Sequence, residues 1–151
     1  MQRADLIKRW GVWAALLAAA VIFYGRFLCG WIPVGADNSL MYAPFNSLRW
    51  QGGPPLWNPY TMAGTPMADN LQAAILYPLR WPFYFITDWR LYFGPFIFLH
   101  YLVALAGMAL LMRALGAGRV AALTAALAYG VSGHMAGRVI NPTIFYGCCW
   151  L

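Results

Sequence analysis

The sequence predicts an all-α membrane protein: about three transmembrane helices plus a long outer loop with short interfacial helices, forming a fragment of a larger polytopic fold. Only 9% of the 151 residues are charged and 62% are hydrophobic, whereas a soluble domain carries roughly a quarter charged residues. The apolar residues lie in long runs, while two of the four acids and most of the amides and prolines lie between Gly35 and Pro78. Apolar runs of bilayer length around one polar loop are typical of this class.

Residues 10 to 31 form the first predicted transmembrane helix. Arg3, Lys8 and Arg9 precede this apolar run, which is close to the about 20 residues that a spanning helix needs. Arg26 then lies near the far end, where its long side chain can reach the headgroups. The alternative is a signal peptide, which fits less well because no small-x-small cleavage site follows the run.

Residues 91 to 113 and 119 to 135 form the second and third predicted spans. The second would be about 33 Å long at 1.5 Å per residue, and small residues near the end of the third favour close helix packing. A short loop from Arg113 to Arg119 joins them. This loop and the basic N-terminus are predicted to lie in the cytoplasm, because basic residues in short loops stay inside.

Residues 32 to 90 form the predicted extracytoplasmic loop. Its segment from Leu71 to Ile86 is apolar but broken by two prolines, which remove backbone donors, so short interfacial helices are predicted there. Residues 39 to 50 are predicted to form another short helix at the outer surface. Residues 136 to 151 begin a second outer loop, so the whole chain, 1 to 151, is one membrane domain.

Composition and spacing also exclude two functional classes. The ten basic residues include no run of three and form no stripe that could follow a nucleic-acid backbone, so no nucleic-acid partner is predicted. The three cysteines lack a CxxC pair, and neither histidine lies at ligand spacing from them. No metal site of protein ligands is therefore predicted from cysteine or histidine.

Asp37 follows the first span directly, and a carboxylate held at the membrane surface can have a tuned pKa. The alternative is that Asp37 caps a helix that begins near Ser39. His134, near the outer end of the third span, is another site candidate. His100, inside the second span, is expected to make a structural hydrogen bond between helices.

A series of acidic, aromatic, proline, glycine and amide residues extends through the outer loop. They are Asp37, Tyr42, Pro44, the passage GGPPLWNPY at 52 to 60, Gly64, Pro66, Gln72, Tyr77 and Pro78. This pattern resembles the first outer loop of the YfhO-type bacterial membrane proteins. The stretch AALTAALAYGVSGHMAG, Ala121 to Gly137, is similar to the third span of that family and the start of its second outer loop.

The resemblance implies a branch of the C-type glycosyltransferases, polytopic enzymes that transfer a sugar from a polyprenyl-phosphate carrier at the outer face of the membrane. This chain would be the N-terminal part of such an enzyme and inactive alone. It would be a multi-pass protein of the bacterial cytoplasmic (inner) membrane with its N-terminus in the cytoplasm. The implied partners are membrane lipid, a polyprenyl-phosphate sugar donor and a cell-envelope glycan acceptor.

The resemblance also implies roles for residues. Asp37 would be the catalytic base that takes the proton of the acceptor, and arginines would hold the leaving phosphate. The implied substrate-binding set is Arg49, Trp57, Asn58, Tyr60, Asp69, Asn70, Gln72, Tyr77, Arg80, His134 and Arg138. No cofactor is assigned. A divalent cation could bind through Asp37 and Asp69, although two acids so far apart in sequence are a weak metal signal.

A small non-enzymatic membrane protein, such as a transporter fragment or an assembly subunit, is the alternative from another functional class. It would explain the spans equally well. It would not explain why the outer loop collects the acids and amides, because transporters place such groups near the bilayer midplane.

Overall fold

A computed structural model of the chain describes residues 3–35, 48, 56–60, 62–86 and 88–150. Over these residues the chain is mostly helical with very little strand, which confirms the all-α part of the predicted class. Asp37, Arg49 and most of the predicted helix at 39 to 50 lie outside the described residues. Of that helix only Leu48 is described, and it packs against the small cluster of Met67, Ala73 and Ile75.

The described part of the chain contains five α-helices, three 3-10 helices and one pair of short strands. The α-helices are α1 (Arg3–Tyr24), α2 (Trp89–Ala114), α3 (Arg119–Gly130), α4 (Gly133–Arg138) and α5 (Pro142–Cys149). The 3-10 helices are Gly25–Cys29, Leu71–Ala73 and Pro78–Phe85. Strand β1 (Trp57–Asn58) pairs antiparallel with β2 (Thr65–Pro66), with Asn58 opposite Thr65.

Within the described residues, two helical segments are long and apolar enough to cross a membrane. The first is Trp10–Cys29, with a mean hydropathy of 1.9, and the second is α2, with a mean hydropathy of 2.0. The 26 residues of α2 extend for about 39 Å, more than the about 30 Å of a hydrocarbon core. These segments lie within a few residues of the first two predicted spans.

The third predicted span, residues 119 to 135, is not one continuous helix. Helix α3 has 12 residues and extends for only about 18 Å, less than the hydrocarbon thickness. Its helical hydrogen bonding ends at Val131, and the Ser132 hydroxyl then accepts the backbone N–H of Met135 at 3.2 Å. This N-cap starts α4 as a separate element, so a third span is not confirmed.

Helix α2 is the central element and packs against both α1 and α3. Gly94 lets the 3-10 helix after α1 approach closely, because a Cβ at that position would overlap the backbone carbonyl oxygen of Phe27. Gly130 of α3 has the same function against α2, since a Cβ there would lie 2.5 Å from Cδ2 of Leu105. Small residues thus allow the three helices to pack at short distance.

Two tyrosines, one on α1 and one on α2, connect these helices to the end of α3 and to α4. The rings of Tyr24 and Tyr101 are stacked with centroids 3.4 Å apart. The Tyr24 hydroxyl donates to the carbonyl of Gly130 at 2.6 Å, and the Tyr101 hydroxyl donates to the carbonyl of Met135 at 3.2 Å. The end of α3 and the following turn are therefore fixed to α1 and α2, because carbonyls freed at a helix end need donors.

The turn between α2 and α3 is a Schellman motif. Gly116 has a φ of +84°, which glycine adopts without steric cost. The N–H of Ala117 donates to the carbonyl of Met112 at 2.9 Å, and the N–H of Gly116 donates to that of Arg113 at 3.1 Å. The chain therefore reverses within four residues, and the two arginines of the loop lie at the same end of the bundle.

Candidate functional site

A cavity of about 360 Å³ lies between the second half of the outer loop and α5. Its lining is mainly apolar and includes Ala68, Ala74, Ile75, Leu76 and Gly147. The lining residues with polar side-chain atoms are Asn70, Tyr77, Thr143, Tyr146 and Trp150. Among the predicted substrate-binding residues, the structure therefore brings Asn70 and Tyr77 together in one cavity.

Local sequence signals bend the outer loop around this cavity. The Asn70 side-chain oxygen accepts the backbone N–H groups of Gln72 at 3.0 Å and Ala73 at 3.3 Å, which starts the 3-10 helix Leu71–Ala73. Pro78 occupies the first turn of the next 3-10 helix, where its missing N–H is harmless. Tyr77, between these two turns, is thereby directed toward α2.

The Tyr77 hydroxyl lies in a chain of hydrogen bonds that reaches the helix core. Trp150 Nε1–H donates to it at 2.6 Å, and it contacts His100 Nε2 at 2.7 Å. The other ring nitrogen of His100, Nδ1, lies 2.8 Å from the carbonyl oxygen of Phe96. A carbonyl only accepts, so Nδ1 carries the proton, Nε2 is an acceptor, and the Tyr77 O–H donates to it.

The surroundings of Tyr77 keep its hydroxyl protonated. Burial raises the pKa of Tyr77 above its ordinary value, and the hydrogen bond from Trp150 opposes this effect only in part. Its ring is also stacked on Tyr146, with centroids 5.7 Å apart and planes 9° apart. His100, which was expected to bond between helices, instead bonds to the outer loop and to its own helix.

Arg80 does not line the cavity and is part of the packed structure. It is only 7% exposed, one guanidinium N–H donates to the carbonyl of Ala73, and the guanidinium lies 5.2 Å from the centre of the Tyr84 ring. The Tyr84 hydroxyl donates to the carbonyl of Ile75 at 3.3 Å. Arg80 and Tyr84 thus hold the segment that lines the cavity, and this placement favours a structural role for Arg80 over phosphate binding.

Asn58 and Trp57 organise the small hairpin of the outer loop. Asn58 is 3% exposed, and its side-chain oxygen accepts the N–H of Tyr60 at 2.9 Å, which makes an Asx turn. The Trp57 ring lies over Gly64, whose φ of +116° and lack of a Cβ allow this contact. Tyr60 itself is 85% exposed. These placements make Asn58 a structural residue and leave Trp57 and Tyr60 on the surface.

Four further predicted residues that the structure describes do not line the cavity. They are Asp69, Gln72, His134 and Arg138, all exposed. His134 Nε2 lies 3.8 Å from Cys148 Sγ. Within the residues that the structure describes, no group of three histidines, cysteines or acids could hold a metal ion. The proposed cation between Asp37 and Asp69 is untested, because Asp37 is outside the described residues.

Of the ten residues that line the cavity, only Asn70 and Tyr77 were predicted from the sequence, and the omitted ones include the polar and aromatic residues Thr143, Tyr146 and Trp150. Thr143 and Tyr146 lie in α5 and Trp150 follows it, in a stretch without a recognisable motif. Trp150 meets Tyr77 across 73 residues of sequence. An aromatic cluster near an interface was the single available signal, and it does not specify a partner. Their assignment to the site therefore comes from the tertiary structure.

Tyr77→Phe is expected to lower the free energy of unfolding by about 1 to 3 kcal/mol, because it leaves the buried Nε2 of His100 without its donor. Denaturant titration in a neutral detergent, followed by far-ultraviolet circular dichroism, measures the change. Tyr60→Phe is the matched control, since it removes a hydroxyl from a side chain that is 85% exposed. Equal stability of the two variants would contradict the hydrogen bond between Tyr77 and His100.

Comparison with known proteins found no match to any protein-family model, curated protein or solved structure. The resemblance to the YfhO-type proteins therefore remains a prediction from the residues that carry it.

Proposed function

We propose that this chain is part of an integral-membrane glycosyltransferase that moves a sugar from a polyprenyl-phosphate carrier to a cell-envelope acceptor on the outer face of the inner membrane. The resemblance of the outer loop to that of the YfhO-type proteins supports sugar transfer as the reaction class. The structural observation that carries the proposal is the apolar cavity beside Tyr77, formed by the loop that contains the predicted catalytic residue.

The surface of the two long helices supports a membrane location. Only 22% of the Trp10–Cys29 window and 44% of the α2 window is buried, whereas the core helix of a soluble protein is mostly buried. The outward-facing apolar side chains of α1 include Trp10, Leu17, Val21, Ile22 and Phe23. Exposed apolar surface of this extent requires a covering of lipid or other apolar groups.

The cavity suits the proposed donor in size and lining. Its volume of about 360 Å³ lies within the roughly 300 to 1,000 Å³ of small-molecule sites. The alanine, isoleucine and leucine side chains of the lining match the isoprene units that follow the phosphate of the carrier. Asn70 and Thr143 supply polar atoms near these units, as expected where a lipid tail meets its headgroup.

The reaction then requires a base and a phosphate-binding group. The acceptor hydroxyl attacks the anomeric carbon, Asp37 takes its proton, and the bond between the sugar and the carrier phosphate breaks. The charge that grows on the leaving phosphate needs a cation. Arg138, exposed in the last turn of α4, and Arg49 are the candidates that remain after Arg80 is assigned to packing.

Blocking the cavity tests this function. Gly147 lines it on α5, and a Cβ there meets no atom within 4 Å, so Gly147→Leu places a side chain into the space without a backbone clash. Excluding two methylene-sized groups of the carrier costs about 0.8 kcal/mol each, which corresponds to a roughly tenfold loss of binding. Cross-linking of a photoreactive polyprenyl phosphate to the purified protein measures this loss.

Gly137→Leu is the matched control, because Gly137 also has no atom within 4 Å of a Cβ and lies on α4, away from the cavity lining. It should label like the unmodified chain. Equal labelling of both variants, or no labelling of the unmodified chain, would contradict the proposed donor site and favour the non-enzymatic alternative.

A further inference from the structure

A second cavity, of about 270 Å³, lies at the opposite end of the helix bundle. It is bordered by the middle of α1, the last turns of α2 and the start of α3. Its lining is Val12, Trp13, Ala109, Leu110, Arg113 and Arg119. None of these residues takes part in the site beside Tyr77, so this cavity requires its own explanation.

One part of this lining is cationic and the rest is apolar. Arg113 and Arg119 are both exposed, so their guanidinium groups can meet a ligand from the surrounding solution or membrane. Arg113 is held in place because Nη1–H donates to the carbonyl of Ala117 at 2.8 Å, and this bond uses one of its five N–H donors. Trp13 is 37% exposed and borders the arginines on the α1 side.

The backbone at the start of α3 adds to the positive field. The N-cap of α3 is Gly118, which makes no side-chain hydrogen bond to the first turn. The amide groups of that turn and the helix dipole therefore favour a negative charge beside Arg119. The cavity and its two arginines are the main evidence for an anion-binding site, and the uncapped start of α3 is consistent with them.

Charge in this lining has one sign, because its two charged residues, Arg113 and Arg119, are both basic. Asp69 and Asp88 lie at the opposite end of the bundle, in the outer loop and at the start of α2. A ligand for this cavity should therefore be anionic and should also have an apolar part for Val12, Ala109 and Leu110.

The geometry points to a binding site for one anionic phospholipid, with its phosphodiester between Arg113 and Arg119. The glycerol region lies against Trp13, and an acyl chain follows the apolar wall between α1 and α2. Basic pockets between helices at a membrane surface bind phospholipid headgroups in this manner. The site is independent of the proposed sugar transfer and would hold the α2–α3 turn at the membrane surface.

Lipid competition tests the site on the 151-residue chain in a neutral detergent. Fluorescent phosphatidylglycerol is bound, then displaced by unlabelled phosphatidylglycerol, phosphatidylcholine or inorganic phosphate. The double variant Arg113→Gln/Arg119→Gln should weaken phosphatidylglycerol binding roughly tenfold to thirtyfold, since each basic residue near an anionic lipid surface contributes to the binding affinity. The single variant Arg119→Gln, which keeps the Arg113–Ala117 bond, should show a smaller loss.

Arg26→Gln/Arg90→Gln is the matched control, because it removes two exposed arginines from other elements and changes the net charge equally. It should change binding less than twofold. Equal losses in the two double variants would show a non-specific charge effect and overturn the site. Displacement by inorganic phosphate as efficient as by phosphatidylglycerol would overturn the lipid assignment in favour of a free anion, and equal displacement by phosphatidylcholine would overturn the charge selectivity.

Discussion

Asp37→Asn is expected to reduce sugar transfer by 10²- to 10⁴-fold while the amount of folded protein in the membrane stays the same. The substitution keeps the size of the side chain and most of its hydrogen bonding but removes the proton acceptor. General-base catalysis typically contributes a rate factor of that order. Transfer from a polyprenyl-phosphate sugar to the envelope acceptor is measured in the full-length enzyme to which this chain is proposed to belong.

The same substitution distinguishes catalysis from helix capping. Asn is about as good an N-cap as Asp, so a capping Asp37 would tolerate it with little loss. Asp88 provides the matched control, because its side chain caps α2 by accepting the N–H of Arg90 at 3.0 Å. Asp88→Asn should leave transfer and stability nearly unchanged. Near-normal transfer by Asp37→Asn would remove support for the catalytic assignment and direct attention to Asp69 and His134.

Gly94→Ala is expected to destabilise the helix bundle by about 1 to 3 kcal/mol or more, the usual cost of overpacking. The added Cβ would overlap the backbone carbonyl oxygen of Phe27 and lie 3.2 Å from that of Trp31. Backbone atoms cannot move aside as the end of a side chain can. Helix α2 would have to separate from the 3-10 helix Gly25–Cys29, and the free energy of unfolding in detergent measures the loss.

Gly107→Ala is the control in the same helix, since a Cβ there meets no atom within 4 Å. In an open helical position, alanine is favoured over glycine by up to about 1 kcal/mol, so this variant should be slightly more stable than the unmodified chain. The two substitutions are chemically identical and should have effects of opposite sign. Effects of the same sign and size would contradict the close packing at Gly94.

Amino-acid sequence alone was sufficient for the helical class and for the two long apolar segments. The first predicted span, 10 to 31, corresponds to Trp10–Cys29, and the second, 91 to 113, corresponds to α2. The average hydropathy and the length of an apolar run depend only on consecutive residues, so they can be evaluated without knowing the fold. The prolines near Pro78 likewise predicted short helices in place of a span, and the structure has the 3-10 helix Pro78–Phe85 there.

Hydropathy did not locate the break inside the third apolar run. Val131 and Ser132 have no strong effect on average hydropathy, yet the Ser132 hydroxyl caps a new helix at Met135. The Tyr24 hydroxyl also fixes the end of α3 by donating to Gly130 from a helix 106 residues away in sequence. A cap and a distant donor act on single atoms, and their effect depends on where the folded chain places them.

The candidate site shows the same division between local pattern and tertiary placement. Asn70 and Tyr77 could be selected from the sequence because their spacing in the outer loop resembles a known pattern. The hydrogen bonds that join Trp150, Tyr77 and His100 could not be predicted from the sequence. The burial of Arg80 against Ala73 could not be predicted either. Residue type determines which atoms can donate or accept, but the partner of each atom is determined by contacts between distant segments, which form only when the helices pack.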